Sequence, residues 1–132
     1  MDFIDSNVWL YAFIESGESH RRQRAVRLIQ SENIAVTTQV INEVCVNLIR
    51  KAGLEESAVP GLIDCFYRRC SVIPLNRNLM TDASRLRRNR GFSFWDGLIV
   101  AGALRAGCDR LFSEDMHDGF VVDDKLRIEN PF

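Results

Sequence analysis

Histidine is almost missing from this chain: His20 and His117 are the only two in 132 residues. Chemistry that depends on a histidine base has little to draw on, and no serine or cysteine nucleophile paired to a histidine is visible. The four cysteines, Cys45, Cys65, Cys70 and Cys108, include no Cys-x-x-Cys pair. A zinc site of the usual spacing is therefore not expected. Each cysteine falls among apolar neighbours, which predicts reduced, mostly buried thiols. No apolar run approaches the roughly 20 residues of a membrane span, so no membrane partner is expected. The opening Met1-Asp2-Phe3-Ile4-Asp5 reads as a strand, not as a basic-then-apolar leader, which points to the cytoplasm. Lysine is scarce too: apart from Lys51 and Lys125 every basic residue is arginine, whose planar fork suits phosphate oxygens. Genomic base composition gives the same bias, and the formal net charge of −1 does not by itself advertise nucleic-acid binding.

What the chain does have is centred on Gly91–Gly119. Ser93 is a good N-cap, and Asp96 three residues on completes a capping-box pattern. Leu98, Ile99, Ala101, Gly102, Ala103 and Leu104 make a helix apolar on nearly every face, hence a buried one. Gly107 stops it, and Arg110–Ser113 is short, apolar and bounded by turn residues, as a buried parallel strand is. Glu114, Asp115 and Asp118 follow at that strand's exit.

Upstream the same alternation repeats. Asp2–Asp5 reads as a central strand, followed by a helix through Phe13 that ends before Gly17. An arginine-rich amphipathic helix runs from Ser19 to Ser31, with Arg21, Arg22, Arg24 and Arg27 mostly outside. Ile34–Val36 is a strand, and a helix starting at Thr37 or Thr38 runs to Gly53. A further helix spans Glu55–Cys70, with Pro60 tolerable only near its first turn or at a kink. Val72-Ile73 is a strand, Asn76–Arg90 a helix with a basic end, and Leu126–Ile128 an edge strand. No linker, repeat or low-complexity segment interrupts the pattern. It predicts a single-domain α/β three-layer sandwich, with a parallel sheet of four to five strands and helices on both faces. Right-handed crossovers bring the exits of the first and fourth strands together at a switch point, where open sheets bind ligands. Asp5 and Asp115 are expected to meet there, with Asp96 arriving from the buried helix.

Each acid also has a plain structural reading. Asp5 and Asp96 can be helix caps, Asp115 and Asp118 an ordinary acidic turn. Glu43 shares a polar stripe with Gln39, Asn47 and Arg50, which by periodicity alone faces solvent. Taken together, several carboxylates in one place repel one another unless they share a cation. An oxygen-only donor set suits Mg²⁺ or Mn²⁺. Such an ion activates water and steadies an in-line attack on a phosphodiester. Arg85, Arg87, Arg88 and Arg90, close to Asp96 in the chain, either hold a polyphosphate backbone or solvate a helix end.

Four segments carry a family resemblance: FIDSNVWLYAF, TTQVINEVCVNLIRK, SFWDGLIVAGALRAGCDRLFSEDMHDG and the final IENPF. With these the chain resembles the PIN-domain nucleases, most closely the VapC-like toxins of bacterial toxin–antitoxin pairs. The resemblance runs nearly end to end and implies one PIN-like nuclease domain over 1–132. Carried over position by position, it implies an acidic, metal-binding catalytic site at Asp5, Glu43, Asp96 and Asp115. Asp118 is a further acidic position, while Ser113 and Asn7 orient a metal-bound water or an acidic ligand. The resemblance moves Glu43 from solvent to the groove. It also implies an RNA substrate cleaved with Mg²⁺ or Mn²⁺, a homodimer and a small antitoxin partner. Two alternatives remain. A non-catalytic PIN-fold interaction module is expected to have lost one of the four acids, and all four are present. A phosphoaspartyl enzyme calls for a lysine near its phosphate, and Lys51 and Lys125 lie in the wrong elements; the dehalogenase-like form also wants an aspartate where Asn7 stands.

Overall fold

The computed structural model describes residues 1–14 and 19–132; the helix stop expected at Gly17 lies outside the described residues. The chain alternates strand and helix throughout. β1 (Asp2–Ile4) leads to α1 (Ser6–Phe13) and α2 (Ser19–Ile29), and β2 (Ile34–Thr37) to α3 (Thr38–Ala52). A 3-10 turn (Glu56–Ala58) precedes α4 (Val59–Arg69). β3 (Ser71–Ile73) is followed by α5 (Arg77–Arg90) and α6 (Phe94–Arg105). β4 (Arg110–Phe112), β5 (Val121–Val122) and β6 (Leu126–Glu129) complete the order. Pro60 sits in the first turn of α4, where its missing N–H costs no helical bond, so the helix begins at Val59 and not at Glu55.

All six strands form one sheet in the order β3-β2-β1-β4-β6-β5. Every pairing is parallel except β5 with β6. The expected α/β architecture is present, with one more pairing than the tail pattern indicated. β6 is not the edge: it pairs with β4 on one side, and the two-residue β5 covers its other side. The hairpin joining β5 to β6 turns through Asp123 and Asp124, both at positive φ (52° and 56°). Lys125 N donates to Val122 O at 3.0 Å, which makes it a type I′ turn, with aspartates tolerating the left-handed region.

Chain order runs β1, β2, β3 in one direction, then jumps back past β1 to β4. Right-handed crossovers then place α1–α4 on one face and α5–α6 on the other. Packing agrees: α1 meets α2 and α3, α3 meets α4, and α5 lies along α6. The sheet's middle is dry, with Phe3, Val36, Leu111, Leu126 and Ile128 wholly buried. α6 is buried from Gly97 to Ala103, as its all-round apolar sequence requires. Its two interior glycines are packing devices. A Cβ at Gly102 would stand 2.4 Å from Thr37 Cγ2, and one at Gly97 would stand 2.7 Å from Arg87 Cγ. α6 therefore lies flush against both the sheet and α5, which fixes where its first turn presents Asp96.

Two expectations are revised by packing. All four cysteines are free, but only Cys45 and Cys108 are buried; Cys65 is exposed on α4. On α2, Arg21, Arg22 and Arg24 are half-buried and only Arg27 is exposed. Arg21 pairs with Glu114 and lies over the rings of Tyr11 and Phe132, while Arg24 Nε donates to Pro131 O. These arginines hold the chain's tail against α2. Among the described residues no helix is long and apolar enough to cross a membrane.

Candidate active site

Asp5 stands at the carboxyl end of β1, beside β4, at the point where strand order reverses. Its backbone N donates to Phe112 O at 3.0 Å, carrying the β1–β4 pairing one residue past the end of β1. Its extended backbone and its Oδ1, which accepts from Ser6 N at 2.8 Å, make it the N-cap of α1. Oδ2 accepts from Ser113 Oγ at 2.8 Å. The residue is 7% exposed. Burial pushes its carboxyl up to about 6 from 3.8, against the opposing pull of the Ser113 and Ser6 hydrogen bonds; the nearby charges of Glu43 and Asp96 push it further up.

Ser113, fully buried just past β4, is the hub of the site. Its hydroxyl donates to Asp5 and accepts from Asp115 N (3.3 Å) and from Asn7 Nδ2 (3.4 Å). One donor and both lone pairs are thereby used. Asn7 Nδ2 also donates to Asp115 Oδ2 at 3.1 Å, and Asn7 Oδ1 accepts from Glu114 N at 3.3 Å. The first turn of α1 and the acidic turn after β4 are thus stitched together by neutral groups. Asp115 is held at the rim, exposed, by its own backbone and side-chain bonds.

Glu43 comes from α3, whose N-terminus is fixed by Thr37 Oγ1 accepting from Val40 N at 3.2 Å. Its Oε2 accepts from Ser6 Oγ at 2.6 Å and its Oε1 from Gln39 Nε2 at 2.8 Å. Periodicity placed Glu43 in solvent; the fold turns that polar stripe toward Asp5. The role of Ser6 as the link between Asp5 and Glu43 has no sequence signal. Asp96 occupies the third residue of α6. Ser93 Oγ accepts from Asp96 N at 3.3 Å, but the reciprocal half of the capping box is not made. The Asp96 carboxylate accepts no hydrogen bond from any described residue, and its charge is felt at Asp5.

Glu32, Glu55, Glu56, Asp64 and Asp124 are exposed and have no ion pair among the described residues, so a missing cation is informative chiefly where the carboxylate is buried. Asp2 pairs with Arg110, Asp82 with Arg85 and Arg105, Glu114 with Arg21, and Asp123 with Arg90. Asp5, Glu43, Asp96 and Asp115 pair with no cation among the described residues, and Asp5 is buried nonetheless. Asp118 is turned to the tail, where its Oδ1 accepts from Asn130 N at 2.9 Å. Of the α5 arginines, Arg85 and Arg90 are engaged with Asp82 and Asp123, and Arg87 Nη1 donates to Phe94 O at 3.0 Å. Arg88 is exposed and has no partner among the described residues.

Two hollows flank the acids. One of about 350 Å³ is lined by Asn7, Leu10, Tyr11, Ile14, Lys51, Glu114 and Asp115. Lys51, which chain position set apart from the strand exits, reaches this hollow from the end of α3. The other, beside Glu43, is lined by Thr38, Gln39, Asn42, Leu75 and Trp95. A more enclosed apolar hollow of about 200 Å³ lies around Trp9, Ile29, Leu62 and Phe66, and no carboxylate is among its lining residues.

Residues 3–117, which hold all four acids, match the family model described as PIN domain. The chain belongs to the PIN-domain family. No curated protein matches it in sequence. Among solved structures, a toxin–antitoxin complex from Klebsiella pneumoniae is similar at 16% identity and a TM-score of 0.73, covering 100% of this chain and 98% of that one. The Mycobacterium tuberculosis toxin VapC20, described as cleaving the sarcin-ricin loop, is similar at 21% identity and a TM-score of 0.66, covering 84% and 87%. VapBC2 from Rickettsia felis, bound to a DNA fragment from its promoter, follows at 17% identity and a TM-score of 0.61, covering 98% and 97%. At these identities the likeness is one of fold.

The donor set of this PIN domain fits a hard divalent cation: it is all oxygen, and no arginine or lysine among the described residues pairs with it. Among the described residues no three His, Cys, Asp or Glu side chains form a ready-made cage. Mg²⁺ does not require one, since it commonly keeps several waters and takes one or two carboxylates plus substrate phosphate oxygens.

Proposed function

We propose that this PIN domain, as a single nuclease unit over 1–132, is a Mg²⁺- or Mn²⁺-dependent endoribonuclease and the toxin of a toxin–antitoxin pair. The observation that carries the reading is the buried Asp5 carboxylate at the sheet's switch point, which feels the charges of Glu43 and Asp96, is linked to Asp115 through Ser113, and has no cationic partner among the described residues. Such a carboxylate destabilises the apo fold, so its retention calls for a ligand of opposite charge. Asp5, Asp96 and Asp115 would hold the ion, with Glu43 beside them. Once bound, the ion supplies Lewis-acid polarisation of a phosphoryl oxygen and a water of lowered pKa. The chain's own residues do the positioning. Ser113 fixes Asp5 and the Asp115 backbone from one hydroxyl, Asn7 fixes the Asp115 carboxylate, and Ser6 and Gln39 fix both oxygens of Glu43. Lys51, which lines the hollow beside Asp115, is suited to hold a phosphate, and Arg88, exposed on α5, is a second candidate for backbone contact.

The toxin role is supported by the structural neighbours, one of which was solved as a toxin–antitoxin complex and another of which is described as a toxin. It carries with it a small antitoxin, a homodimer and a cytoplasmic site of action. The activity is tested with protein purified free of any partner: it should cleave RNA with Mg²⁺ or Mn²⁺ and stop on addition of EDTA. Cleavage unaffected by EDTA contradicts the metal-dependent site. The biological role is tested separately. Expression alone should arrest growth, and co-expression of the product of an adjacent small reading frame should relieve it. Harmless expression of a protein shown to cleave RNA contradicts the toxin role but not the nuclease.

A further inference from the structure

The groove beside Glu43 has a volume of about 400 Å³ and is walled by Thr38, Gln39, Asn42, Glu43, Leu75 and Trp95. It therefore opens on the acid cluster, through Glu43, at one end and on an aromatic ring at the other. Trp95 is 60% exposed although it belongs to the first turn of an otherwise buried helix, and it precedes Asp96 directly. Burial does not explain it. Its ring is nevertheless held. It packs edge-on against Phe94, with centroids 5.3 Å apart and planes at 74°. The Arg87 guanidinium lies 4.1 Å from the Phe94 ring centroid and bonds the Phe94 carbonyl, while the Arg87 stem is seated against Gly97. Opposite this fixed indole, the exposed Asn42 has no hydrogen-bond partner among the described residues, leaving an amide donor and acceptor free. Gln39 spends its NH₂ on Glu43 and keeps its carbonyl oxygen.

We propose that Trp95 is a stacking platform for an unpaired nucleobase of the RNA, with Asn42 and Gln39 meeting the base edge. The substrate is then single-stranded at this position. The proposal rests on the nuclease reading and names its substrate class. An aromatic plate accepts any base by its π-face, but a base inside a duplex has both faces already stacked. A base on Trp95 leaves its own phosphate near Asp96, which follows Trp95 in sequence, and Glu43, which lines the groove. The rival occupant is a second copy of this chain, because Leu75 and Trp95 are both exposed and apolar. Unspent amides and a direct opening on the carboxylates favour the base.

The test is made in EDTA, so that binding is read without cleavage. The probes are a single-stranded oligouridylate of roughly ten nucleotides, a duplex of the same length and an abasic strand with the same phosphates. Trp9 is 4% exposed, so quenching of tryptophan emission reports on Trp95. The single strand should quench and the duplex should not. Trp95→Ala should weaken single-strand binding by roughly 5- to 150-fold, Trp95→Phe should restore most of it, and the abasic strand should bind wild type and Trp95→Ala alike. Equal affinity of wild type and Trp95→Ala for the single strand overturns the platform and leaves the nuclease reading intact. Unchanged RNA affinity together with a lower oligomeric state in Trp95→Ala overturns it too and gives the face to a second copy. Wild type that neither binds RNA nor cleaves it with Mn²⁺ removes both readings.

Discussion

Replacing Asp5 with asparagine keeps the shape of the side chain and the oxygen that caps α1, and removes the charge. In the folded protein the Asp5 carboxyl titrates at about 6, against 3.8 ordinarily. The gap is worth about 3 kcal/mol. The folded state holds this proton more tightly than the unfolded chain does. The contribution of Asp5 to stability is therefore fully present below about pH 4 and lost as pH rises through about 6. Asparagine cannot ionise and suffers no such loss. It does disturb the Ser113 bond, because that hydroxyl already accepts twice and now meets an amide, at a cost of about 1 kcal/mol at every pH. Measured in EDTA, the stability of Asp5→Asn relative to wild type should rise by about 3 kcal/mol between pH 3.5 and pH 7.5. With an unfolding entropy near 2.1 cal/mol/K per residue, that is a relative gain in melting temperature of roughly 10 °C. Chemical denaturation at five or six pH values gives the difference curve, in which groups unaffected by the substitution cancel. A flat curve, or one that falls with pH, refutes the claim that Asp5 is ionised at a cost in the metal-free fold.

Three further outcomes follow from the same geometry. Millimolar Mn²⁺ should raise the wild-type melting temperature by mass action, by about 2.7 kcal/mol in stability at a hundredfold excess over Kd, and should raise that of Asp115→Asn less; equal responses would remove Asp115 from the cation site. Gly102→Ala should destabilise by about 1–3 kcal/mol in urea titrations, because its Cβ falls 2.4 Å from Thr37 Cγ2 in a packed interior; a neutral effect would show that α6 can lift from the sheet at no cost. Arg88→Ala should lower the salt slope of RNA binding by about one and leave the fold unchanged, and an unaltered slope returns Arg88 to solvation of a helix end.

How legible each feature was depends on the kind of interaction that places it. Strand–helix alternation and the all-round apolar α6 were readable because burial leaves a local pattern. Asp5, Asp96 and Asp115 were expected together because each sits within three residues of a strand exit or helix start, where topology fixes position; Ser113 came only with the resemblance. Glu43 was not expected with them. A polar stripe looks the same whether it faces water or a groove, and only the resemblance moved it inward. The links through Ser6 and Gln39 are side-chain bonds across elements and leave no periodic trace. The same holds for the arginines of α2, called outside by amphipathicity but half-buried under a C-terminal tail whose position no local rule specifies. β5 is two residues long, too short for any alternation to register. Lys51 was set aside by chain position, yet the end of α3 carries it to the hollow that Asp115 lines.

The claim on which the rest depends is that the four carboxylates act together, through a bound cation, on RNA. The most direct measurement is the cleavage rate of a single-stranded RNA by partner-free protein in Mn²⁺, wild type against Asp96→Asn. The amide keeps the volume of Asp96 and the backbone bond to Ser93, so circular dichroism and melting in EDTA should show an intact fold. The rate should fall by at least about a hundredfold, the scale on which removal of a positioned catalytic charge is felt. Cleavage by Asp96→Asn at the wild-type rate would contradict the account and reduce Asp96 to a residue of a helix's first turn.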